Sequence, residues 1–161
     1  MFVENHAGES GGGLSSYNST PTIRQCTFVG NSAGSGGGAA VYSWDASSHI
    51  VIENSILAFN DGGDAVASSG GSVTITCTDI YGNPPGAPVE SQMGTNGNIS
   101  EDPLFCNLIG GDFTLSALSP CAPGANPECG LIGALPVACG QTPTQAISWG
   151  AVKALLREGA K

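Results

Sequence analysis

The chain of 161 residues is the length of one domain. It holds 25 glycines and 10 prolines, is 40% apolar and only 11% charged, which excludes plain disorder, a helical bundle and, because the glycines cluster, collagen. Thirteen acidic residues face four basic ones, and Arg24 is the single base in residues 1–141, so a nucleic-acid surface of clustered lysine and arginine is excluded.

The chain opens on Met1-Phe2-Val3-Glu4-Asn5, without the basic and apolar regions of a signal peptide. No apolar run approaches the roughly 18 residues of a membrane helix. Phe2–Asn5 is the first of four apolar–x–x–Asn motifs, followed by Phe28–Asn31, Leu57–Asn60 and Ile80–Asn83 at spacings of 26, 29 and 23. Glycine clusters at Gly11-Gly12-Gly13, Gly36-Gly37-Gly38 and Gly62-Gly63 start 25 and 26 residues apart. Ile23, Ile52 and Ile75 form a third column, five residues ahead of the apolar position. Tyr17 and Tyr42 each follow a glycine triplet at the same offset.

Between the turns lie short runs rich in β-branched residues: 21–28, 50–52 and 73–78. A period in the twenties with such runs predicts a β-solenoid, each coil stacking its strands about 4.8 Å from those of the next. Equivalent residues then form ladders. The isoleucines stack inside, and Asn5, Asn31, Asn60 and Asn83 stack at a corner, where asparagine tolerates the left-handed backbone and its amide bonds the neighbouring coil. The glycines supply tight turns.

Phe28-Val29-Gly30-Asn31-Ser32-Ala33, followed by Gly36-Gly37-Gly38-Ala39-Ala40-Val41-Tyr42, resembles the right-handed parallel β-helix repeat family, the pectate-lyase-like solenoids. Asn54 to Asn60 and Cys77 to Asn83 continue the likeness. Glu101 to Phe105, Gly111 to Leu115 and Ser119 to Ala134 resemble the last coils of large secreted bacterial members. The resemblance implies an all-β, right-handed parallel β-helix across residues 2–140, and it says little of chemistry. Residues 1–83 are the coils. Residues 84–140 hold a loop excursion over 84–98, final coils and a cysteine-rich closing segment. Residues 141–161 form a linker and a short amphipathic helix, with Ser148 as its N-cap and Trp149, Val152 and Leu156 on one face. Coil one begins in mid-repeat, so the chain reads as the C-terminal part of a longer protein whose N-terminal coils precede it.

Six cysteines stand at 26, 77, 106, 121, 129 and 139. Without a CxxC pair or a nearby histidine, disulfides in an oxidising compartment are the better reading than zinc. Cys106, Cys121, Cys129 and Cys139 are the candidates, with 15 full pairings open among all six. Free thiols are the alternative for Cys26 and Cys77.

Candidate chemistry is sparse. The family's lyases imply a base beside a calcium-bound uronate, and the solenoid offers only Arg24. Asp61 and Asp64, in Asn60-Asp61-Gly62-Gly63-Asp64, read first as a solvated turn and second as a calcium site. They lack the histidine that would complete a hydrolase pair. No G-x-S-x-G occurs. Tyr17 and Tyr42 with Trp44 form either a structural ladder or a platform for sugar rings. The expected protein is a non-catalytic structural or adhesive module, secreted or at the cell surface and facing a polysaccharide or cell-surface glycan. It requires no cofactor, with Ca2+ as the candidate ion. The rival is a fragment of a polysaccharide lyase, hydrolase or epimerase whose site lies on other coils.

Overall fold

The computed structural model describes residues 1–34 and 37–140. The expected C-terminal helix, with Ser148, Trp149, Val152 and Leu156, lies outside the described residues, as does Gly36 of the second glycine triplet.

Four coils follow one another as short strands. The first holds β1 (Phe2–Val3), β2 (His6–Ala7) and β3 (Leu14–Ser16). The second holds β4 (Thr22–Arg24), β5 (Thr27–Val29), β6 (Ser32–Ala33) and β7 (Val41–Ser43). The third holds β8 (His49–Glu53), β9 (Ile56–Ala58) and β10 (Val66–Ser68), and the fourth β11 (Ser72–Thr76) and β12 (Asp79–Tyr81). Stacked in parallel, they make three walls, β1–β5–β9–β12, β3–β7–β10 and β4–β8–β11, with the pair β2–β6 at a corner. With the turn of residues 84–99, joined to the fourth coil through the parallel Asp79–Ile99 bridge, the result is a parallel β-solenoid of about five turns.

The register follows the sequence columns. Phe2, Phe28, Leu57 and Ile80 are Cα partners along the first wall, and Ile23, Ile52 and Ile75 along the third. Beyond half-buried Phe2, these side chains fill the interior with Val41, Val66 and Val73. The rings of Phe2 and Phe28 stack at 4.4 Å and 3°. Strand alternation explains the pattern: one-residue slippage would turn every isoleucine to the outside.

The four asparagines form the predicted ladder. Asn5 Nδ2 donates to Asn31 Oδ1 at 2.8 Å, Asn31 Nδ2 to Asn60 Oδ1 at 3.0 Å, and Asn60 Nδ2 to Asn83 Oδ1 at 3.4 Å. Each oxygen also accepts from the backbone N–H of the previous rung's asparagine, at 3.0–3.1 Å. One expectation is corrected: the asparagines are not the left-handed residues. The preceding column, Glu4, Gly30, Phe59 and Gly82, takes the positive φ, as does a second corner column of Gln25, Asn54 and Cys77. The bend falls one residue early so that the amide can point along the stack.

The glycine triplets do not stack as units. Gly11 N–H donates to Gly38 O and Gly13 N–H to Ala40 O, so Gly11 stands beside Gly38 rather than Gly36. The loops between walls differ in length, which moves the triplets by two residues against the strands.

Residues 84–98 close the end of the solenoid instead of leaving its wall. Pro84 and Pro85 carbonyls accept from Ala65 and Val66. The Gln92 side chain then imitates a strand edge: its Oε1 accepts from Ile75 N–H at 2.9 Å and its Nε2 donates to Val73 O at 2.8 Å. Val89 is fully buried over the core. Residues 101–139 form a strap rather than further coils. β13 (Phe105–Asn107) pairs antiparallel with β14 (Asp112–Ser116), and β15 (Val137–Cys139) joins parallel to β14.

Asn31 makes four side-chain hydrogen bonds in a buried position, so Asn31→Ala is expected to cost about 3 kcal/mol in denaturant unfolding, against about 1 kcal/mol for exposed Asn5→Ala. Exposed Gln25 sits at φ 47. Gln25→Gly is therefore expected to stabilise the protein by about 1 kcal/mol, read in the same experiment.

Candidate functional site

The strap lies on the outer face of the first wall. Along β5, β9 and β12 the outward column Thr27–Ile56–Asp79 is buried although it faces away from the core. Gly133 N–H donates to Asn54 O at 2.7 Å, and Ala134 N–H to Thr27 Oγ1 at 3.0 Å. Asn54 Nδ2 donates to Cys129 O at 2.7 Å. Ile56 and Ala58 pack with Leu115, Cys121 and Ile132 as a second apolar cluster. Gly133, at φ 102, has no room for a side chain, since a Cβ there would lie 2.7 Å from Ile56 Cδ1.

Disulfides join Cys77 to Cys129 and Cys106 to Cys139. The first ties the strap to the solenoid and the second braces the strap internally. This corrects the sequence reading twice: Cys77 is bonded, and Cys121 is a free, fully buried thiol. Distance along the chain misled here, because the sequence separation of 52 between Cys77 and Cys129 is closed when the strap folds back. Cys26 is the other free thiol and is half-buried. Gly97 marks the bond, since a Cβ there would lie 2.3 Å from Cys129 Sγ.

Cys121 meets Asp79. The carboxyl is inaccessible to solvent, its Oδ1 accepting from Glu101 N–H at 3.2 Å and its Oδ2 lying 3.3 Å from Cys121 Sγ. Burial pushes Asp79 up to about 7, with Glu101 and Asp102 adding repulsion and the two hydrogen bonds opposing. Burial, then the Asp79 charge, pushes the Cys121 thiol up as well. Between about 3.8 and about 7 the folded protein keeps a proton that the unfolded chain has lost. Stability from this group is therefore full in acid and is lost as pH rises through about 7. Beside this seam a cleft of about 450 Å³ is lined by Ile99, Glu101, Asp102, Leu118, Pro120 and Asn126 among others.

The aromatic residues are rearranged relative to expectation. Tyr42 pairs with Ser15, not Tyr17, and is nearly buried. One step beyond the Ser16–Ser43 pair, the register sets Tyr17 beside Trp44. Both are exposed, Tyr17 at 71% and Trp44 at 41%. Trp44 is held by its Nε1 donating to Ser15 Oγ at 2.7 Å and by the edge of Tyr42 at 4.8 Å. The two-residue glycine slip accounts for the exchange of partners.

Asp61 is exposed, its Oδ1 accepting from Gly62 N–H at 2.8 Å, and Asp64 is half-buried. Among the described residues no group of three or more His, Cys, Asp or Glu is placed to hold a metal ion. Sequence reasoning missed a polar column: His6, Ser32 and Asp61 are neighbours on successive coils, with His6 Nδ1 2.9 Å from Ser32 Oγ. The serine stands between the histidine and the acid, so the acid does not orient the imidazole as a nucleophilic triad requires. Arg24 is paired with Glu53.

Compared with known proteins, the chain matches no family model, no curated protein and no solved structure. Its architecture is that of the parallel β-solenoids, established by strand order and register.

Thiol titration of the denatured, unreduced protein is expected to find the two free thiols, Cys26 and Cys121, and six after reduction. Cys77→Ser is expected to lower stability by about 2–4 kcal/mol in denaturant unfolding.

Proposed function

We propose that the protein is a non-catalytic structural or adhesive module that presents carbohydrate-facing aromatic side chains on a rigid solenoid in an oxidising, external medium. The observation that carries this reading is the exposure of Tyr17 and Trp44 on consecutive coils at one edge of the second wall, where Trp44 N–H donates to Ser16 O at 2.9 Å. Aromatic faces stack on the apolar faces of sugar rings, and a ring already held in place loses little entropy on binding. Trp44 is so held by Ser15 and Tyr42. Successive coils stand about 4.8 Å apart, so a polysaccharide lying along the axis meets one aromatic ring on each of the first two coils, and Ser69 follows on the third.

The medium is supported by the two disulfides, which persist in oxidising compartments. An acidic body, net −9 over the chain, suits neutral or cation-bridged glycans better than free polyuronates. The β-helix repeat resemblance supports the same reading. Calcium at Asp61 and Asp64 belongs to the proposal as an accessory site, and an unchanged melting midpoint at millimolar calcium rules it out.

A glycan array followed by titration calorimetry tests the main reading. A bound neutral glycan whose affinity falls about tenfold in Trp44→Ala or Tyr17→Ala, with the melting midpoint kept, supports it. Binding indifferent to both substitutions, or no glycan bound at all, overturns it.

A further inference from the structure

The contacts between strap and wall differ in kind along the column Thr27–Ile56–Asp79. Over Thr27 the strap places the Ala134 amide, and over Ile56 it places Gly133 and Ile132, neutral groups that no pH change disturbs. At Asp79 the seam contains a carboxyl instead. The groups that face it all come from the strap: Cys121, and Glu101 and Asp102 at its start. Its partner across the neighbouring strand is apolar Ile56. None of the groups facing it is basic. Ionised, Asp79 is a buried charge with two further carboxylates close by and only one N–H and one weak S–H donor to offset its lost hydration.

We propose that the seam is an acid-closed clasp: the strap seals over Asp79 while that carboxyl carries its proton, and loosens from the wall on its Cys77–Cys129 tether when the proton leaves. The charge finds relief in water, and water is near, since the neighbouring cleft is lined by Glu101, Asp102 and Pro120, the chain neighbour of Cys121. The disulfide keeps the strap attached, so opening is reversible. It uncovers Ile56 and Ala58, an apolar strip on a wall whose strands are otherwise paired. The solenoid itself is untouched, because its ladder asparagines do not titrate. Burial places the proton loss near neutral pH, so the clasp responds to the difference between an acidic and a neutral or alkaline medium.

Amide hydrogen exchange on the full chain, with oxidised disulfides, tests this at about pH 5 and about pH 8.5 after correction for intrinsic rates. The reporters are the strap amides of Gly133 and Ala134, which donate across the seam to Asn54 O and Thr27 Oγ1. Their protection is expected to fall at least about tenfold at the higher pH while the wall amides of Val41 and Ala65 hold theirs. In Asp79→Asn, which keeps the shape but cannot ionise, protection is expected to be equal at both pH values. Equal protection in the natural protein, or the same fall in Asp79→Asn, overturns the proposal. Should Asp79→Asn fail to fold, Glu101→Gln/Asp102→Asn serves: removing the two neighbouring charges removes repulsion that helps hold the Asp79 proton, so the midpoint of the protection change is expected to move to lower pH, and an unmoved midpoint counts against the clasp.

Discussion

Everything in this protein rests on the hydrogen-bonded stacking of one coil on the next at the asparagine corner. Each amide there does the work of a strand residue. At Asn31 and Asn60 the oxygen takes two N–H groups from the preceding rung, and the nitrogen donates to the rung that follows. Asn31 and Asn60 also donate back to the carbonyls of Phe2 and Phe28, so the buried corner leaves few backbone groups bare. The geometry requires the residue before each asparagine to bend into the left-handed region. Glycine provides this at 30 and 82, while Glu4 and Phe59 do so under strain. The ladder offsets that strain.

The outer face of the first wall shows how such a stack is made to carry something beyond itself. A solenoid wall exposes alternate residues, and here one exposed column is apolar or uncharged except at its last rung. The strap covers it, and the disulfide at Cys77 anchors the strap at the adjoining corner. The same covering that buries Ile56 also buries Asp79, and a carboxyl without a cationic partner holds its proton far above the usual carboxylate range. The seam thus stores an electrostatic cost that the rest of the coil avoids.

At the other edge of the molecule, the exposure of Tyr17 and Trp44 follows from loop length. The turn between the first and second walls is two residues shifted in coil two relative to the spacing of the glycine triplets. That shift turns Tyr42 onto the wall surface beneath Trp44 and sets Trp44 level with Tyr17.

The periodic features were legible from residues alone. Phe2, Phe28, Leu57 and Ile80 and the four asparagines recur at intervals that the structure realises as strand register, because parallel stacking forces equivalent residues into contact. The parallel β-solenoid and its interior followed from them. What tertiary structure decided lies where the period stops. Residues 84–98 carry no repeat, and only the folded chain sets Gln92 against the edge of β11 as a cap. The cysteine pairing and the burial of Asp79 beneath Cys121 join residues distant in sequence. Their meeting depends on the path of irregular segments, and composition and spacing do not encode that path. A repeat determines its own stacking; what folds back across it is settled by packing in three dimensions.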